Sequence, residues 1–231
     1  MIEIRVLPNA EAAAQAAAAL IAAVAQAAVK ARGQALIAVS GGRTPAAMLR
    51  DLAGTDMPWS AVHLFQVDER VAPLGHADRN LTGITTNLLA AAPLLPVKLH
   101  PMPVGIADLE MAAEDYVDTL RQAAGTPAIL DVIHLGLGAD GHTASLVPGD
   151  AATEIADRDV AMTGVYQGRR RMTLTFPALD RARRIVWLVT GTDKREMLQR
   201  LLAADRTIPA GRVEQANAIL IADTDAADGL A

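Results

Sequence analysis

The sequence contains no cysteine. That excludes a disulfide framework, a thiolate metal site and a cysteine nucleophile, and it fits a reducing compartment. Aromatic residues make up only 3% of the 231 residues, so the core has to be built from Ala, Leu, Val and Ile. Alanine alone is about one residue in five. Lysine occurs only at Lys30, Lys98 and Lys194, a shortage of basic ammonium groups to which no function attaches. The formal net charge is −5. This balance argues against a nucleic-acid partner, whose affinity would rest on neutralising phosphates with Lys and Arg. With 52% hydrophobic residues the chain is not disordered. No internal repeat, low-complexity tract or linker divides it, so one domain over residues 1–231 is expected.

One long apolar run, Ala16 to Val29, invites a membrane reading. It is rich in Ala rather than Leu, contains Gln26, and falls short of the roughly 20 strongly apolar residues of a span. Before it, Ile2-Glu3-Ile4-Arg5-Val6 alternates as a strand does, which is unlike a secretory leader. A strand, a turn and a buried helix opened by Asn9 and closed by Gly33 fit better, with no membrane partner.

Beyond Gly33 short apolar runs alternate with helical stretches. Strands are expected at Ala35–Val39, Val62–Val67, Val97–Leu99, Leu130–Leu135, Ala161–Tyr166, Arg171–Thr175, Ile185–Val189 and Ala218–Ala222. Helices are expected from Thr44 (as N-cap, with Pro45 at N1) to about Leu52, from Asn80 to about Ala91 before Pro93 and Pro96, from Asp108 to Ala124, and from Asp193 to Ala204. The pattern defines an α/β fold: a mostly parallel, Rossmann-like sheet with helices on both faces. In such sheets the ligand crevice lies beyond the carboxyl ends of the strands. Three polar segments follow strands and can converge there: Ser40-Gly41-Gly42, Asp68-Glu69-Arg70, and Gly136 to His142.

Ser40-Gly41-Gly42-Arg43-Thr44-Pro45 combines glycines that let backbone approach a ligand with a helix N-terminus suited to an anion. On spacing alone it is equally an ordinary strand-to-helix turn. Asp68-Glu69-Arg70 offers carboxylates for hydroxyls and a guanidinium for phosphate oxygens; the plainer alternative is a solvated turn with a local ion pair. Gly136-Leu137-Gly138-Ala139-Asp140-Gly141 formally matches G-x-G-x-x-G. A dinucleotide site is disfavoured, because Pro148-Gly149 cuts short the following helix and no strand ends in an acid about 20 residues on. Asp140 two residues before His142 is the more telling spacing, since the acid can orient the ring and favour one tautomer, leaving a neutral imidazole to take a proton from water. His63 and His134 fall inside strands and read as structural, while His76 and His100 fall in loops. No H-E-x-x-H and no G-x-S-x-G occurs, so neither a catalytic metal nor a serine nucleophile of the α/β-hydrolase kind is expected.

Together the segments resemble the 6-phosphogluconolactonase family: Ser-Gly-Gly-x-Thr-Pro at Ser40 to Pro45, Asp-Glu-Arg at Asp68 to Arg70, and Gly-x-Gly-x-Asp-Gly-His-Thr-Ala-Ser at Gly136 to Ser145. Arg171-Met172-Thr173-Leu174-Thr175 and Gly191-Thr192-Asp193-Lys194 are also similar to family segments, and the resemblance spans roughly residues 10 to 222. The chain departs from the pattern at Val147, where an aromatic is common, at Ala218 to Ala222, which lacks the usual Trp, and at Arg212, where Ser is common. The related glucosamine-6-phosphate deaminases continue Ile-Ala-Phe-Asn-Glu-Pro after the His; here Thr143 to Pro148 lacks that acid.

The resemblance implies hydrolysis of 6-phospho-D-glucono-1,5-lactone in the oxidative pentose phosphate pathway, without a cofactor, in the cytoplasm, by a monomer or weak homo-oligomer. It implies phosphate on the Gly41 and Gly42 N–H groups and the Ser40 and Thr44 hydroxyls, with charge from Arg70 and Lys194. It further implies His142 as general base oriented by Asp140, Asp68 at sugar hydroxyls, and Asn80 or Arg171 as oxyanion donor. Two other readings stay open: a deaminase/isomerase, and a sugar-phosphate sensor without turnover.

Overall fold

The computed structural model describes residues 2–89 and 96–230. In chain order the strands are β1 (Glu3–Leu7), β2 (Ala35–Val39), β3 (Val62–Gln66), β4 (Asp68–Arg70), β5 (Lys98–His100), β6 (Val132–Leu135), β7 (Val160–Met162), β8 (Arg171–Leu174), β9 (Ile185–Val189) and β10 (Ala218–Asp223). The helices used below are α1 (Ala10–Arg32), α2 (Arg43–Ala53), α3 (Asn80–Ile84), α4 (Leu109–Ala124), α5 (Phe176–Asp180) and α6 (Arg195–Leu202).

Seven strands form one parallel sheet in the order β1-β10-β9-β6-β2-β3-β5. Side chains alternate between its faces. On β2, Ile37 and Val39 point to the layer of α1 and α2 with Leu64, Val186 and Ile221. Leu36 and Ala38 point to the opposite layer with Phe65, Leu135, Trp187, Tyr116 of α4 and Leu198 of α6. Both faces are therefore covered, and β2, β6 and β9 are buried along their whole length.

Helix α1 is the apolar run that invited a membrane reading, and it is a core helix. Asn9 Oδ1 accepts from the Ala12 N–H at 2.9 Å, and Gly33, at φ 78°, donates its N–H to Val29 O at 2.8 Å. Its buried stripe is nearly all alanine, from Ala13 and Ala14 through Ala17, Ala18 and Ala25 to Ala28. Such side chains let a long helix lie close against a sheet while favouring helix intrinsically.

Several expectations change. His100, expected in a loop, closes strand β5. The acid-rich segment Asp68–Arg70 is a strand, not a turn: it joins β8 and β7 in a second, antiparallel sheet of order β4-β8-β7. Gly42, at φ 117°, is the N-cap of α2 instead of Thr44, so Pro45 is the third helical residue. Only glycine adopts that backbone angle without strain, and it starts the helix two residues earlier. Strand β7 ends at Met162, because the chain then turns back through a hairpin bridged at Tyr166 and Arg169. The stretch from Asp193 begins as a 3₁₀ turn, and the α-helix runs from Arg195 to Leu202. Helix α3 continues as a π-helical turn over Thr85–Leu89; its expected end near Ala91 and the break at Pro93 lie outside the described residues.

Candidate active site

The strand order reverses between β2 and β6, from which successive strands run outward in opposite directions. Ser40 follows β2 and Gly136 follows β6, so both motifs stand at the topological switch point. Ser40 Oγ donates to His134 O at 3.0 Å, and the Ser40 N–H donates to His134 Nδ1 at 3.4 Å, tying the two strand ends together. His134 is fully buried and its Nε2 has no partner among the described residues. Burial pushes its imidazole down to about 4, so it stays neutral and structural.

A cleft of about 520 Å³ opens here. Ser40, Gly41, Gly42, Thr44, Asp68, Arg70, Asn80, His142, Arg171 and Lys194 all line it. Of the site residues that the resemblance implies, Asp140 alone is absent from the wall, and it stands behind His142. Sequence reasoning missed Arg43, Thr190 and Asp193 in the wall, and Ser145 and Tyr166 beside it. Thr190-Gly191 could have been found, since it closes a buried strand as Ser40-Gly41 does. Four basic side chains (Arg43, Arg70, Arg171, Lys194) face two acidic ones (Asp68, Asp193) in the wall. The cleft is cationic on a chain whose net charge is −5, an arrangement that draws in anions.

Glu69 builds one side of the site. In β4 alternate side chains point oppositely, so Asp68 and Arg70 reach the cleft while Glu69 turns inward with no exposure. There it accepts hydrogen bonds from Gln66 Nε2, Arg79 Nε and the backbone N–H groups of Arg70, Asn80 and Leu81, at 2.7–3.1 Å. This fixes the start of α3 and with it Asn80. Asn80 Nδ2 donates to both Asp68 O and Asp68 Oδ1 at 2.9 Å, so both of its protons are used. Asp68 Oδ2 accepts from Ser145 Oγ at 2.6 Å. Asp68 is thus a buried organiser with one in-chain donor on each oxygen, and not a solvated turn residue.

The glycines after β6 make room for the site's own side chains. A Cβ on Gly138 would stand 2.0 Å from His142 Nδ1 and 2.6 Å from Asp140 Oδ1. His142 Nδ1 lies 2.5 Å from Asp140 Oδ1, and the His142 N–H reaches the same oxygen at 3.1 Å. Partial burial pushes the Asp140 carboxyl up, but the charge of His142 and hydrogen bonds from His142 and Tyr166 outweigh it and hold the group below the usual carboxylate range. The ring nitrogen of His142 turned away from Asp140 is left to act on a ligand.

Arg171 Nη1 is 3.5 Å from Ser145 Oγ, Nη2 donates to Gln167 Oε1 at 3.2 Å, and Nε has no partner among the described residues. Burial, then the neighbouring Arg70 charge, lower its pKa from the ordinary guanidinium value. Lys194 Nζ is 3.0 Å from Asp193 Oδ2. Thr44 Oγ1 is 3.5 Å from Thr190 Oγ1.

A cationic cleft at the switch point of a parallel sheet, with a braced imidazole in its wall, places the protein among α/β enzymes of small anionic ligands. Residues 8–221 match the family model described as glucosamine-6-phosphate isomerases/6-phosphogluconolactonase, and the chain belongs to that family. It is 36% identical over 211 residues to a 6-phosphogluconolactonase of Synechocystis, covering 88% of each chain. It is also 37% identical over 215 residues to a 6-phosphogluconolactonase of Mycobacterium tuberculosis, covering 87% of each. Among solved structures it resembles a 6-phosphogluconolactonase from Thermotoga maritima, with a TM-score of 0.85 and 27% identity over 96% of this chain and 99% of that one. A monomeric glucosamine-6-phosphate deaminase shares the fold at a TM-score of 0.83 and 16% identity, covering 98% of this chain and 99% of that one.

Proposed function

We propose that the protein hydrolyses the ester bond of 6-phospho-D-glucono-1,5-lactone, giving 6-phosphogluconate. The observation that carries this reading is the placement of His142, braced by Asp140, in the same cleft as the Ser40–Gly42 turn. The family membership and the identity to relatives bearing that activity support it. Val147 supports lactonase over deaminase, because it stands where the deaminase segment carries its acid.

The phosphate rests on the N–H groups of Gly41 and Gly42, which have no other partner among the described residues, and on the hydroxyls of Ser40 and Thr44. Arg70 and Lys194 supply charge. Binding the end of the substrate remote from the reacting carbon fixes the lactone carbonyl near His142. His142 takes a proton from water as the water oxygen bonds to the carbonyl carbon, and Asp140 stabilises the imidazolium. The carbonyl π pair moves to oxygen, and Arg171 steadies that oxyanion, since the protons of Asn80 Nδ2 are spent on Asp68. The oxyanion then reforms the carbonyl, the ring C–O bond breaks, and the departing oxygen takes the proton from His142. Asp68 holds this wall and meets sugar hydroxyls. The chemistry uses no cofactor, and the cysteine-free chain suits the cytoplasm.

The test is lactone hydrolysis measured against the spontaneous rate. His142→Ala should lower kcat by roughly 10²–10⁴-fold with little change in KM; an undiminished kcat removes His142 from the reaction. Ammonia release from glucosamine 6-phosphate would establish a deaminase in its place.

A further inference from the structure

Asp140 is held from two sides. His142 Nδ1 engages Oδ1, and the Tyr166 hydroxyl donates to Oδ2 at 2.9 Å. The first contact lies within the turn after β6; the second arrives from the hairpin that links β7 and β8. That hairpin turns through Gln167 and Gly168, at φ 51° and 79°. A non-glycine residue with such an angle costs backbone energy. Here it brings Gln167 Nε2 to the Tyr166 hydroxyl at 3.3 Å and Gln167 Oε1 to Arg171. The Tyr166 ring meets the imidazole of His142 edge-on, with centroids 5.6 Å apart, and lies under the Arg171 guanidinium at 4.8 Å. One side chain therefore touches the carboxylate, the imidazole and the guanidinium of the site.

A carboxylate on a loop, with 38% of its side chain exposed, can turn about its last torsion and exchange its oxygens. Each exchange would interrupt the bond that fixes the imidazole tautomer. A phenol on Oδ2 stops it. We propose that Tyr166 is a positioning residue: it locks Asp140 so that His142 keeps its proton on Nδ1 and presents the other nitrogen unprotonated, and its ring sets Arg171 alongside. This rests on the reading of His142 and Asp140 as the hydrolytic pair.

The test uses the whole protein, labelled with ¹⁵N, under conditions where the His142 ring is neutral. The wild type should show ring-nitrogen shifts of the single Nδ1–H tautomer. Tyr166→Phe, which loses only the hydroxyl, should move both nitrogens toward the averaged values of two tautomers. It should also lower kcat for lactone hydrolysis about tenfold while KM stays within about twofold. Tyr166→Ala should lower kcat further than Tyr166→Phe, because Arg171 also loses the ring beneath it. Unchanged ring nitrogens in Tyr166→Phe, or a wild-type kcat in that variant, overturn the proposal. Failure of the hydrolytic reading registers separately, as absence of wild-type turnover, and the tautomer measurement still decides the role of Tyr166.

Discussion

Gly41 and Asn80 interlock: a Cβ added to Gly41 would stand 2.4 Å from Asn80 Oδ1 and 2.6 Å from its Cβ. Asn80 cannot yield, because its side chain is bonded to Asp68 and its backbone N–H to Glu69. The glycine is needed for this close approach. Gly41→Ala should displace Asn80 and Asp68, lowering kcat/KM about a hundredfold with the fold retained. Steady-state kinetics alongside circular dichroism checks this.

Arg70 reaches the cleft from β4 and donates through Nη1 to Asp78 O at 3.0 Å, which holds the guanidinium in place. In its proposed role of phosphate clamp, it should be needed for binding more than for chemistry. Arg70→Ala should raise KM roughly 10- to 100-fold, the worth of a charge-assisted hydrogen bond, and leave kcat nearly unchanged. A wild-type KM would reassign the clamp.

Glu69 and Arg79 form a buried ion pair at 3.1 Å, 0% and 5% exposed. Removing one partner strands the other charge. Glu69→Ala should cost about 3–5 kcal/mol of folding stability, read as a lower urea midpoint, and should loosen α3 and thus the site.

His134 gives the stability a pH dependence. Its folded value, about 4, lies below the ordinary 6.5, so as pH falls through that window the unfolded chain binds a proton that the folded chain does not. Stability is complete above 6.5 and is lost as pH falls toward 4. The loss amounts to about 3 kcal/mol. His63 and His100, both lowered by burial and by neighbouring cationic groups, act in the same direction. Thermal unfolding followed from neutral to acid pH should show the slope, and His134→Gln should remove its largest share.

Much of this was legible in the residues because it is local. Asn9 and Gly33 cap α1 where propensity and spacing indicate, and each parallel strand declares itself as a short apolar run. The meeting of Ser40, Arg70 and His142 followed from strand ends, since a parallel sheet gathers them at one edge. What stayed hidden depends on distant partners. Asp68–Arg70 looks like a charged turn until β8, about 100 residues on, supplies its ladder. Ser145 gives no hint that its hydroxyl serves Asp68, 77 residues away. Tyr166 fell inside an expected strand, and only the hairpin after Met162 swings it toward Asp140. Thr44 has the chemistry of a cap, but the backbone angle of Gly42 took that place.

Arg70 and Arg171 are register partners on adjacent strands, β4 and β8. Two like charges set directly opposite repel, and the folded chain bears that repulsion whenever nothing negative lies between them. A ligand that brings a phosphate to Arg70 and a developing oxyanion to Arg171 relieves it and is favoured for doing so, whereas an uncharged sugar of the same shape brings nothing to Arg70. On the proposed reading, selectivity for a phosphorylated sugar thus begins in a strand pairing, ahead of any contact with the carbohydrate.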